Sequence, residues 1–233
     1  MTQAQHADTV VLDVDGTLVD SNYHHTLAWA RAFRALGFDV PLWRIHRSIG
    51  MGGDRLVPRL IGTDADDEMG DRIREVWEQE IDGLLEETIL LPFASELLRR
   101  LDGLPVRVVL ASSGKPDHVQ RALALLGERP TTSAIDHVTS SGDAPTKPAP
   151  DLIDKALDEV GGSHAVVVGD SVWDAQAARN AGSRMVGLLT GGFGTDELIE
   201  AGADRVFADL ADLIEVLDEV IGGSVEESTN DGS

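Results

Sequence analysis

The amino-acid sequence predicts an α/β protein, a parallel sheet core with an inserted all-helical cap. Three observations predict it: short apolar runs end in acidic or hydroxyl residues, segments of helical spacing separate them, and residues 21–91 break that rhythm with helical spacing alone. Alternating strand and helix build a parallel sheet with helices on both faces. In such sheets the chemistry gathers at the carboxyl ends of the strands.

The first run, Thr9-Val10-Val11-Leu12, reads as a buried strand that enters the turn Asp13-Val14-Asp15-Gly16-Thr17. Similar runs follow at Val106–Ala111, Ala165–Val168, Met185–Leu189 and Arg205–Ala208. Leu97, Leu98 and Leu101 predict a helix before the second run, and Val119, Leu123 and Leu126 one after it. Leu152, Ile153, Ala156, Leu157 and Val160 predict another before Ala165. Within 21–91 no strand is expected, and helical spacing appears at Trp29, Phe33 and Leu36, then at Ile73, Trp77, Ile81 and Leu84. Gly50-Met51-Gly52-Gly53 reads as a loop or helix entry, and Pro92 marks the return to the core. The expected division is a Rossmann-like catalytic core of 1–20 and 92–222, a cap of 21–91, and a disordered acidic tail of 223–233.

Of 233 residues, 41 are acidic and 19 basic, a formal net charge of −22, which excludes tracking along a polyanion such as nucleic acid. No apolar stretch is long enough for a membrane span and the first residues do not read as a signal peptide, so a cytoplasmic protein is expected. With no cysteine, disulfides, thiolate metal sites and cysteine nucleophiles are excluded. Only Lys115, Lys147 and Lys155 are lysines; salt adaptation and a GC-rich genome both account for acidity with scarce lysine.

Asp13 and Asp15 stand two apart at a strand end, so both can enter one crevice. Their repulsion is relieved by a divalent cation or by a shared proton, and a set of hard oxygens favours Mg²⁺. An EF-hand loop is excluded, because its glycine and glutamate positions hold Leu18 and His24. Ala165–Val168 ends in Gly169-Asp170-Ser171-Val172-Trp173-Asp174, a second acid-tipped strand; Asp174 also suits a helix cap. Val108–Ala111 leads into Ser112-Ser113-Gly114-Lys115, which offers hydroxyls and N–H groups to an anion. Lys147 sits between Pro145 and Pro148, a rigid setting for a cation aimed at a phosphoryl group. Gly191–Gly194 reads as a flexible turn.

In this order and at these strand ends, Asp13-Val14-Asp15-Gly16-Thr17, Ser112, Lys147-Pro148-Ala149-Pro150-Asp151 and Gly169-Asp170-Ser171-x-x-Asp174 resemble the haloacid dehalogenase superfamily. The resemblance runs from residue 9 to about 221 and leans toward its phosphoglycolate phosphatase and β-phosphoglucomutase-like branch. It implies Asp13 as nucleophile, Asp15 as acid and then base, and a small phosphorylated metabolite as substrate. It further implies Mg²⁺ on Asp13, the Asp15 carbonyl and Asp170, with Asp174 orienting this set, and phosphate held by Ser112, Ser113 and Lys147. Asp15 argues for phosphoryl rather than carbon chemistry, and the lack of lysine in 21–91 excludes a Schiff-base phosphonatase.

His25 falls at the hinge histidine of the mutases, whereas Gly53 stands at their cap arginine, so a phosphatase is the expectation; a mutase and a catalytically idle phosphate-binding relative are the alternatives. Substrate choice is expected from His25, Gly52, Gly53 and Arg55 in the cap, and the chain is expected to act as a monomer or homodimer.

Overall fold

The structure, a computed structural model, describes residues 6–127, 131–142 and 144–223. Six parallel strands form the main sheet: β1 (Thr9–Leu12), β4 (Arg107–Ala111), β5 (His137–Thr139), β6 (Ala165–Gly169), β7 (Arg184–Leu188) and β8 (Arg205–Phe207). Their order is β5-β4-β1-β6-β7-β8, so β1 is central and the chain passes to opposite sides of it for β4 and β6. That reversal opens a crevice beyond the carboxyl ends of β1, β4 and β6.

β1 is buried on both faces, which is why Thr9-Val10-Val11-Leu12 reads as a continuous apolar run rather than an alternation. Val10 and Leu12 join one face of the core with α5 (Ala94–Asp102), α6 (Pro116–Leu126), α10 (Leu210–Glu215) and α11 (Leu217–Gly222). Val11 turns to the other face, against α7 (Asp151–Val160), α8 (Val172–Asn180) and α9 (Thr195–Ala201). The alternation follows from the two-residue period of a strand.

Between the strand ends lies a helical insertion of α1 (Asn22–Ala35), α2 (Leu42–His46), α3 (Gly53–Ile61) and α4 (Thr63–Leu85). It has its own apolar core, in which Trp29 and Phe33 of α1 meet Leu56 and Leu60 of α3 and Ile73, Trp77 and Ile81 of α4. The pattern at Trp29, Phe33, Ile73, Trp77 and Ile81 therefore describes faces that bury against each other. Gly50 to Gly52 form a loop and Gly53 opens α3.

Two features differ from expectation. A sixth strand, β5, was not expected, because His137-Val138-Thr139 has one apolar residue; its place beside β4 is set by the Val109↔His137 register, not by its own pattern. The expectation of no strand in 21–91 is corrected at β3 (Ile89–Leu90), which pairs antiparallel with β2 (Val19–Asp20) where the insertion leaves and rejoins the core. Two residues are too few to show any periodicity. The expected disordered tail lies, beyond Gly223, outside the described residues.

Candidate active site

Asp13 follows β1 directly, and its N–H donates to the Val168 carbonyl at 2.9 Å, extending the β1–β6 ladder by one residue. Its carboxylate is thereby fixed at the mouth of the crevice. The chain then turns on Gly16, whose φ of +78° is left-handed and where a side chain would strike Asn22 and Asp170. This turn brings Asp15 back over the crevice, where Ser21 Oγ donates to Oδ1 at 2.5 Å and His25 Nε2 lies 3.1 Å from the same oxygen.

From β6, Asp170 enters the crevice and accepts from Asn22 Nδ2 at 2.8 Å and Thr17 Oγ1 at 3.3 Å. Asp174 lies on the first turn of α8 and forms a reciprocal cap with Ser171, whose N–H donates to Oδ2 at 3.1 Å. Asp174 therefore caps the helix and, through Oδ1, also meets Lys147 Nζ at 2.7 Å. Lys147 also pairs with Asp13, and with 2% exposure it is one of the largest fully buried side chains among the described residues.

Asp13, Asp170 and Asp174 each offer a carboxylate oxygen within 4.8 Å of the others, all buried. Burial pushes the Asp13 carboxyl up to about 7, with Asp174 and Asp15 adding repulsion and Lys147 opposing it. Burial beside Asp174 and Asp13 pushes Asp170 well above the ordinary carboxylate range as well. Burial also works against ionised Asp15, yet the charge and hydrogen bond of His25, with Ser21, hold it well below that range. Lys147 keeps its proton more firmly than usual, because Asp13 and Asp174 outweigh its desolvation.

Were Asp13, Asp170 and Asp174 all ionised against one ammonium, two negative charges would go uncompensated in a buried site, which is why Asp13 and Asp170 hold their protons more firmly than usual. A divalent cation with oxygen ligands fits that deficit, and His25 is committed to Asp15 rather than to this cluster.

Ser113 and Gly114, after β4, line the crevice with Asp13, Asp15, His25, Trp29 and Trp77. Ser112 is fully buried; its Oγ accepts from the Gly114 N–H at 2.9 Å, and a side chain on Gly114 would meet Ser112 Oγ at 3.0 Å and Asp15 Oδ2 at 3.5 Å. Ser113 Oγ accepts from the Lys147 N–H at 3.3 Å, tying this loop to the lysine segment. Of the cap candidates, His25, Gly52 and Gly53 line the crevice. Arg55 does not: it is exposed and pairs with Asp54 at 3.5 Å.

Sequence reasoning missed Asn22, Trp77, His118 and Thr146 as members of this site. Asn22 bridges to Asp170 from the first residue of α1, and Thr146 Oγ1 accepts from the Gly52 N–H at 3.2 Å and donates to Asp54 at 2.5 Å. His25 stacks near Trp77 with ring centres 5.9 Å apart, and Trp77 stacks on Trp29 at 4.7 Å. Burial, aided by His25, lowers the His118 pKa to about 4. Gly191, expected in a flexible turn, is buried, and neighbouring Thr190 Oγ1 donates to the Gly16 carbonyl at 2.5 Å.

A central parallel strand tipped by a buried carboxylate, a second acid-tipped strand and a buried lysine paired with Asp13 and Asp174 define a hydrolase site of the α/β class. The haloacid dehalogenase-like hydrolase family model matches residues 7–182, and the chain belongs to that family. It is similar, at 37% identity and a TM-score of 0.84, to a hydrolase from Pseudomonas syringae, over 91% of this chain and 98% of that one. It is 29% identical to a phosphoglycolate phosphatase of Rhodobacter capsulatus, over 80% of this chain and 86% of the relative. It is also 28% identical to the validoxylamine A 7′-phosphate phosphatase of Streptomyces hygroscopicus subsp. limoneus, over 77% and 84%. No helix among the described residues is long and apolar enough to cross a membrane.

Proposed function

We propose that the chain is a Mg²⁺-dependent phosphatase that hydrolyses small phosphate monoesters through an aspartyl-phosphate on Asp13. The observation that carries this reading is the charge deficit around Asp13, Asp170 and Asp174 beside a buried Lys147. Relatives named as phosphatases agree with it. In this reading residues 1–20 and 92–222 are the catalytic core and 21–91 the cap.

Asp13, the Asp15 carbonyl and Asp170 would hold the cation, with Asp174 orienting the set, and Mg²⁺ there would neutralise charge on carboxylate and phosphate. An Asp13 oxygen attacks phosphorus, the bond from phosphorus to the alcohol oxygen breaks, and the departing oxygen takes a proton from Asp15. Since Asp15 is held ionised in the free site, this role requires the incoming phosphoryl dianion to raise its affinity for a proton by repulsion. Asp15 then removes a proton from the water that attacks the aspartyl-phosphate, releasing inorganic phosphate and restoring Asp13. Lys147 and the Ser112–Gly114 loop steady the negative phosphoryl oxygens.

The test is phosphate release from p-nitrophenyl phosphate with Mg²⁺ and with EDTA. Release with Mg²⁺, its loss in EDTA, and a fluoroberyllate adduct on Asp13 are the expected results. Activity retained in EDTA, or a wild-type rate in Asp13→Asn, overturns the mechanism.

A further inference from the structure

The crevice that holds Asp13 and Asp15 encloses only about 50 Å³. It shares Trp29, Gly53, Trp77 and Ser113 with a second cavity of about 510 Å³, whose far side is built by Ser141, Gly142, Ala144, Pro145 and Thr146 of the core. We infer that the larger cavity receives the leaving alcohol, and that the walls around Trp29, Gly53 and Trp77 select esters of a neutral, ring-bearing alcohol over those of a small carboxylic acid. This rests on the phosphatase reading for the reaction, but the cavity is a feature of the fold itself.

Three observations carry it. First, a crevice this small admits the phosphoryl group and little else, whereas 510 Å³ lies within the range of about 300–1,000 Å³ seen for sites that enclose drug-sized ligands. A two-carbon acid would leave most of it to water. Second, one wall is aromatic: Trp29 and Trp77, whose faces stack on each other at 4.7 Å with an interplanar angle of 12°, turn ring edges to the cavity and give it an apolar side that suits the C–H groups of a ring better than a carboxylate.

Third, the cations lining the cavity are already paired. Arg74 meets Asp66 at 2.5 Å and Asp71 at 3.2 Å and donates to the Gly53 carbonyl at 3.1 Å, while Lys115 meets Glu78 at 2.6 Å. Among the described residues no lining cation is left uncompensated for a leaving-group carboxylate, and Asp54 in the same wall would repel one.

Gly53 lines both spaces where they meet. A β-carbon there would lie 3.0 Å from Trp29 Cη2 and 3.2 Å from Cζ2, tighter than ordinary contact. A methyl at residue 53 therefore narrows the passage without touching Asp13, Asp15, Lys147 or Asp170.

The experiment compares kcat/KM for glucose 6-phosphate and 2-phosphoglycolate in wild type, Gly53→Ala and Trp77→Phe. Both substrates are measured on one preparation, so their ratio is insensitive to how much of a variant is folded. Calorimetric binding of the same esters to Asp13→Asn, with Mg²⁺, provides a readout without turnover. Wild type is expected to favour the hexose ester by at least about tenfold, and Gly53→Ala to shift the ratio by about tenfold toward the two-carbon ester. Trp77→Phe, which keeps a smaller ring, shifts it the same way by less.

A wild-type preference for 2-phosphoglycolate in turnover and binding, or a ratio that neither variant moves, overturns the inference and leaves the phosphatase reading standing. Hexose-ester binding without hydrolysis of either ester, or of p-nitrophenyl phosphate, supports the cavity assignment and sinks the phosphatase reading. Absence of binding by either ester overturns the cavity assignment.

Discussion

The carboxyl ends of β1 and β6 and the core of the helical insertion that faces them are both buried, but opposite forces hold them. At the strand ends Asp13, Lys147, Asp170 and Asp174 are buried charges that tolerate each other only in one arrangement. In the insertion Trp29, Phe33, Ile73, Trp77 and Ile81 pack as an ordinary apolar core, and charges such as Arg31 and Glu80 meet at the surface. A charged site sacrifices stability to be ready for a reactant, whereas a packed core is stable by itself and shapes the space around that reactant. The two regions should accordingly fail in different ways when altered.

The largest contrast is expected at Asp13, the proposed nucleophile. Asp13→Asn should lower turnover by about 10⁴-fold, ~5 kcal/mol of transition-state stabilisation, while thermal unfolding with the metal chelated moves little or upward. A large loss of stability without loss of rate would erase the distinction between the regions.

Lys147→Ala comes next, since it leaves Asp13, Asp170 and Asp174 without their ammonium. Urea unfolding should show a loss of about 3–5 kcal/mol, part of which saturating Mg²⁺ restores. In the insertion, Ile73→Ala should lose about 2–4 kcal/mol by opening a cavity, with no restoration by Mg²⁺. Equal metal rescue of both variants would argue against a cation at the strand ends.

Acidity sharpens the same contrast with smaller effects. Asp13, raised from 3.8 to about 7, binds a proton in the folded chain that the unfolded chain has lost across that interval. Its stabilising contribution is full below 3.8 and disappears as pH rises through about 7, so metal-free stability should decline there and Asp13→Asn should flatten the decline. His118, lowered from 6.5 to about 4, has the opposite sign: its contribution is present above 6.5 and lost as pH falls through about 4. The two oppose each other over the same interval, so His118→Gln should remove the rise and steepen the net decline in metal-free melting curves between pH 4 and 7.

The smallest effect belongs to the exposed pairs that join insertion to core, Lys115–Glu78 and Arg121–Asp82. Glu78→Gln with Asp82→Asn should change stability by no more than about 1 kcal/mol per pair, less in high salt, measured by urea titration.

What could be read in advance divides along similar lines. β1 and β6 were legible because fully buried strands are continuous apolar runs, and each ends abruptly in an acid. Lys147 stood out because prolines flank a rare lysine, and the structure places it against Asp13 at the end of β1 and Asp174 on the first turn of α8. β5 was not legible, because one valine in three residues carries no period and the neighbouring strand dictates its pairing. Asn22 at a helix start resembles any other polar residue until the Gly16 turn folds it onto Asp170. Trp77 was legible as a packed helix residue, but its second edge, toward the cavity, depends on how α1, α3 and α4 assemble. Helical period tells which side is inside; it does not tell what the outside edge of that side will face.

The clip formed by β2 and β3 bears on how this architecture can change. Because Val19 pairs with Leu90 and Asp20 with Ile89, the departing and returning strands run side by side, so the whole insertion is topologically an oversized hairpin loop. Provided Asn22 and His25, which bond Asp170 and Asp15, are kept, lengthening or trimming the rest changes chiefly the entropy of closing that loop, which grows by about 0.6 kcal/mol per doubling of length. The reaction centre can thus stay constant while the module that screens incoming esters is exchanged as a cassette, by recombination or at the bench, with the paired strands as natural splice points.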